Sequence, residues 1–61
     1  MVFEEVTKIC EERKLAVTKL EEEAGLGRGT IGKWRDSMPT LTSLKKVADA
    51  LGVPINRLIG G

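Results

Sequence analysis

Apolar residues recur along this chain at helical spacing almost from its start. Val2, Val6, Ile9 and Arg13 step by three or four positions, with Phe3 and Cys10 widening the stripe, so residues 2–13 are expected to form one amphipathic helix. Val17, Leu20 and Ala24 predict a short second helix over 17–24, which Gly25 ends as a C-cap able to take positive φ. Ile31 and Trp34, three apart, predict a third helix from about 28 to 36, stopped at Met38-Pro39. Thr40 offers a cap oxygen to a fourth over 41–51, striped by Leu41, Leu44, Val47, Ala48 and Leu51 and closed by Gly52. Pro54 suits the first turn of a last helix over 55–59, carrying Ile55, Leu58 and Ile59. No stretch reads as a strand or a repeat. The expectation is an all-α fold, a compact five-helix bundle forming one domain over residues 1–61.

Sixty-one residues sit near the lower limit for a core without disulfides or metal. Cys10 is the single cysteine and there is no histidine, which excludes an internal disulfide and leaves no sensible zinc site. One unpaired cysteine fits a reducing compartment, so the expected location is cytoplasmic. No apolar run approaches the ~18 residues of a membrane span, and no signal pattern opens the chain. Catalytic machinery is not evident either, because Cys10 has no histidine partner and reads as a small packing residue.

The stretch Gly25-Leu26-Gly27-Arg28-Gly29-Thr30-Ile31-Gly32-Lys33 changes the picture. Gly27 to Gly32 fits the G-x-G-x-x-G pattern of dinucleotide-binding turns, and Gly27, Gly32 and Lys33 satisfy most of a P-loop. Both patterns require a strand leading in. The residues before this stretch are a charged helical run, Lys19 to Ala24, and Trp34 stands where a P-loop needs a magnesium-binding hydroxyl. A βαβ unit alone takes about 30 residues. A nucleotide cofactor is not expected.

Charge supplies another direction. Residues 1–24 carry four Lys and Arg against seven Glu, for −3, while residues 25–61 carry six against two Asp, for +4. The second half therefore suits an anionic partner, for which nucleic acid is the commonest reading and ordinary surface charge the bland one. An apolar helix face at Leu20 and Ala24, a turn through Gly25, then Ile31 and Trp34 describe a helix-turn-helix.

At this point the sequence resembles the Cro and phage-repressor type of DNA-binding domain, the XRE family. The resemblance runs from Val6 to Leu58. It is carried by Lys19-Leu20, Gly25-Leu26, Thr30-Ile31, Lys33-Trp34, Pro39-Thr40-Leu41 and above all by the ending Leu44 to Ile59. It implies a sequence-specific, double-stranded DNA-binding transcriptional regulator of the repressor type, with residues 28–35 as a recognition helix in the major groove. Carried over residue by residue, Arg28, Gly29 and Lys33 fall where bases are met. Val17 and Thr18 begin the supporting helix, and Arg35, Thr40, Thr42 and Ser43 fall where phosphates are held.

The residues themselves add detail. Arg28 opens the recognition helix, and a bidentate contact to guanine is the specific expectation. Gly29 and Gly32, read as helix-interior positions costing roughly 1 kcal/mol each, would let the backbone approach DNA closely. Gly27 would cap the helix and, with Thr30 beside it, present N–H groups to a phosphate. The bland alternative for Gly32 is relief of crowding between helices. Trp34 reads as core, its N–H at the rim. The Glu21-Glu22-Glu23 run reads as a solvated face, with Glu21 snorkelling toward Arg28 or Arg35.

Some positions depart from the family pattern. Ala16 and Val17 replace the usual cap and phosphate-holding Gln, Glu21 replaces a small residue, and Cys10 with Lys19 cannot make the usual inter-helix ion pair. A homodimer on an operator is expected, through Ile55, Leu58 and Ile59, with no membrane partner and no cofactor. The rival from another class is a small helical protein-interaction module, antitoxin-like or a scaffold, on the same fold.

Overall fold

The computed structural model describes residues 2–59; Met1, Gly60 and Gly61, the ends of the domain read from the sequence, lie outside the described residues. Four α-helices appear among them: α1 (Val2–Glu12), α2 (Val17–Ala24), α3 (Leu41–Leu51) and α4 (Ile55–Ile59). The expected third helix of a five-helix bundle is instead a 3-10 segment, Ile31–Arg35.

Three of the helices end in the same way. Gly25 and Gly52 sit in the left-handed region at φ +74 and +69, and so does Lys14 at φ +54. At each end the left-handed residue and its successor donate back to the last turn. Lys14 N–H reaches Glu11 O at 3.1 Å and Leu15 N–H reaches Cys10 O at 2.8 Å; Gly25 with Leu26 and Gly52 with Val53 repeat the pattern. The residue after each turn, Leu15, Leu26 or Val53, then packs half-buried on the core. This is a Schellman motif made three times, with the hydrophobic contact that usually accompanies it. Lysine in that conformation costs about 1 to 2 kcal/mol that glycine avoids, part of which the freer unfolded glycine chain takes back. Lys14→Gly is therefore expected to stabilise the domain by up to about 1 kcal/mol in urea denaturation.

Thr40 starts α3 as its cap, its side-chain oxygen accepting from Ser43 N–H at 3.2 Å. Ala16 precedes α2 in extended conformation and offers no such bond. Glu4 and Glu5 in the first turn of α1 suit the positive end of the helix dipole.

The core draws on every element. Val2, Val6, Ile9 and Cys10 come from α1, Leu20 and Ala24 from α2, Ile31 and Trp34 from the 3-10 segment, Leu44, Val47, Ala48 and Leu51 from α3, and Leu58 from α4. Helix α2 packs on α3, α3 on α4, and α1 on both α4 and the 3-10 segment. Arg13 continues the apolar stripe of α1 by reach: its Nη1 donates to the carbonyl of Leu51, the last residue of α3. A cation there answers an otherwise unpaired C-terminal carbonyl and the negative helix end.

Leu41, expected in the α3 stripe, is 60 % exposed. It is the first residue of its helix, and helical side chains lean toward the N-terminus. Leu41 therefore has no preceding turn of its own helix to cover.

Candidate DNA-reading surface

The path from α2 to the 3-10 segment is set by backbone conformation. After Leu26 the chain turns through Gly27 to Thr30, with Thr30 N–H donating to Gly27 O at 3.1 Å. Gly29 then takes φ +83. No α-helix can run through a residue in that conformation, so the helical path starts only beyond it, and the helix expected from about 28 is displaced. Ile31 and Trp34 remain buried because positions i and i+3 eclipse in a 3-10 helix. Lys33 N–H is shared between Gly29 O at 3.3 Å and Thr30 O at 3.2 Å.

The reading of Gly29 as helix-interior is thus corrected: it is a left-handed turn residue. Gly32 lies inside the 3-10 segment, and a Cβ added there would meet nothing within 4 Å. The two glycines should respond oppositely to alanine. Gly29→Ala is expected to destabilise by about 1 to 2 kcal/mol from left-handed strain. Gly32→Ala should stabilise by up to about 1 kcal/mol, and should weaken DNA binding if the bare backbone there approaches the groove. Denaturation midpoints of both variants, with titration of DNA into Gly32→Ala, check this.

Glu21 overturns a second expectation. It is not on a solvated face and does not reach toward Arg28 or Arg35; it is 2 % exposed. Its Oε1 accepts from Gly29 N–H at 3.1 Å and its Oε2 from Ile31 N–H at 2.8 Å. Amide groups at the start of the reading segment, expected to meet a phosphate through the Gly27 cap, are thus held at Gly29 and Ile31 by the protein's own carboxylate. A sequence signal existed: Val17, Leu20, Glu21 and Ala24 stand at i, i+3, i+4 and i+7, which places Glu21 on the buried stripe.

Around this turn Gly27, Arg28, Gly29, Gly32, Lys33 and Arg35 are exposed, and Thr30 is half-buried. Arg35 is not a free surface cation, since its guanidinium lies 5.0 Å from the centroid of the Phe3 ring on α1. On the supporting helix Thr18 is exposed, whereas Val17 is half-buried against the core. At the start of α3, Thr40 Oγ1 donates to Ser43 Oγ at 3.1 Å, which leaves the Ser43 hydroxyl proton for an outside acceptor, and Thr42 is exposed. The residues expected at an interface between copies separate: Leu58 is fully buried in its own chain, Ile55 is half-buried and Ile59 is 51 % exposed. Leu58 therefore keeps no surface to offer a second copy.

Cys10 is buried, and that burial pushes its thiol above the ordinary value, with the nearby Arg13 charge pulling more weakly the other way. The buried thiol stays protonated and packs. The glycine stretch follows helix α2, not a strand, so neither nucleotide pattern has its required context. Among the described residues no helix is long and apolar enough to cross a membrane, and no group of three or more His, Cys, Asp and Glu is placed to hold a metal ion.

These features belong to a helix-turn-helix domain, α2 and the 3-10 segment standing on either side of the turn. The chain belongs to the XRE family: the helix-turn-helix family model matches residues 6–58, nearly the whole sequence. That family is one of DNA-binding regulators. No curated protein and no solved structure matches the chain.

Proposed function

We propose that residues 1–61 form one domain that binds double-stranded DNA sequence-specifically and acts as a transcriptional repressor. The observation that carries this reading is the family match over 6–58 combined with three exposed cations, Arg28, Lys33 and Arg35, beside a glycine-bare turn. Arg28, Gly29 and Lys33 meet base edges in the major groove. Arg28 reads guanine through its paired donors. Phosphates are held by Thr18, Arg35, Thr42 and Ser43, with the backbone at Gly27, Thr30, Gly32 and Thr40 near the same strand. Val17 contributes through the amide end of α2, where Ala16 supplies no side-chain acceptor and a phosphate fits the open N–H groups.

A reading segment this short covers few base pairs, so two copies related by a two-fold axis are proposed to share one operator. Ile59 and the open part of Ile55 supply the apolar contact between them.

The experiment is titration of DNA at several salt concentrations. Phosphate contacts release counterions, so affinity should fall steeply and log-linearly with salt. Binding to a protein partner instead, with no salt-dependent DNA affinity, would favour the interaction-module reading.

A further inference from the structure

Glu21 is the buried charged side chain of the described core, and both of its carboxylate oxygens are committed to the backbone of the reading segment. Burying a carboxylate is costly unless donors answer it. Here two amides do, flanking Thr30, whose own N–H is tied to Gly27 O. Three successive amides, 29 to 31, are thereby fixed, immediately after Arg28. The left-handed φ of Gly29 bends the chain so that its own N–H and that of Ile31 converge on one carboxylate. An ionised carboxylate accepts at both oxygens, whereas an amide side chain would set an NH2 against one of these donors.

Resting on the DNA-binding reading, we infer that Glu21 is a positioning residue for sequence readout. It touches no base. It holds the Gly29–Ile31 turn in one conformation and so fixes the backbone from which Arg28 and Lys33 project. Discrimination between base pairs should depend on it, while sequence-blind phosphate attraction should not.

The test compares the whole chain with Glu21→Gln and Glu21→Asp. Amide hydrogen exchange is measured at Gly29 and Ile31 in the free proteins. Dissociation constants are measured for three duplexes: the preferred one, the same duplex changed at the base pair sensitive to Arg28, and one of random sequence. In Glu21→Gln at least one of the two amides, the one set against the NH2, should exchange at least about tenfold faster. The ratio between preferred and changed duplex should fall at least about fivefold. Affinity for the random duplex should stay within about twofold, because phosphate contacts dominate it. Glu21→Asp, which keeps the carboxylate but shortens its reach to the two amides, should show the same loss of discrimination and stands in if Glu21→Gln fails to fold. Unchanged exchange would overturn the clamp, and faster exchange with discrimination intact would overturn its role in readout. A wild-type chain that binds all three duplexes alike would instead overturn the sequence-specific reading, and one that binds none of them the DNA-binding reading itself, and this inference with either.

Discussion

Leu58→Ala should destabilise the domain by about 2 to 5 kcal/mol, the usual cost of emptying a fully buried leucine site. The side chain has no exposed surface and anchors a five-residue helix against α1 and α3. A domain of this size holds roughly 5 kcal/mol of stability, so the variant should sit near or beyond its unfolding midpoint at room temperature. Ile59→Ala, one position along and half exposed, should change folding stability by no more than about 0.5 kcal/mol. Urea denaturation followed by circular dichroism separates the two. If α4 served chiefly as an interface, Leu58→Ala would leave the monomer intact and change only concentration-dependent behaviour.

Binding variants should differ in kind as well as size. Arg28→Ala should lose about 1 to 3 kcal/mol on the preferred duplex and relax preference at one base pair. Arg35→Ala should weaken all sequences alike and reduce the salt slope by about one. Arg35 also lies over Phe3, so its removal should cost the fold about 0.5 to 1 kcal/mol. Phe3→Leu, which removes the ring but keeps an apolar side chain, should share that stability loss without flattening the salt slope. Equal, sequence-blind losses from Arg28→Ala and Arg35→Ala would show that Arg28 reads no base.

Most of the architecture was legible because its punctuation is local. Gly25, Thr40, Gly52 and Pro54 mark helix ends by their own chemistry, and the expected spans 17–24, 41–51 and 55–59 coincide with α2, α3 and α4. The end of α1 carried no such mark, since its left-handed residue is Lys14, and the expected helix ran one residue long. The third helix failed for a different reason. Ile31 and Trp34 satisfy both α and 3-10 geometry, so their spacing could not decide between them. The deciding residue was Gly29, which takes a left-handed φ and donates its N–H to a carboxylate eight positions earlier.

Glu21 shows how the candidate surface was only partly readable. Three glutamates in a row resemble solvent-facing charge, and composition alone gives no reason to bury the first of them. Its helical register did place it between Leu20 and Ala24 on the inner face. What the register could not supply was the donor pair, because Gly29 and Ile31 converge only once the turn is left-handed. Arg28 and Lys33 are both exposed, but Arg28, expected to open the recognition helix, lies in the turn before the 3-10 segment.

The decisive measurement is selection of bound duplexes from a random pool, followed by titration of the enriched sequence at several salt concentrations. A DNA-reading pair of these domains should enrich one pseudo-palindromic motif with half-site centres about 10 base pairs apart, one helical turn. Its affinity should exceed that for random duplex by at least about 1,000-fold. A pool that remains random through repeated rounds, or retention indifferent to salt, would contradict a DNA-reading role for this surface.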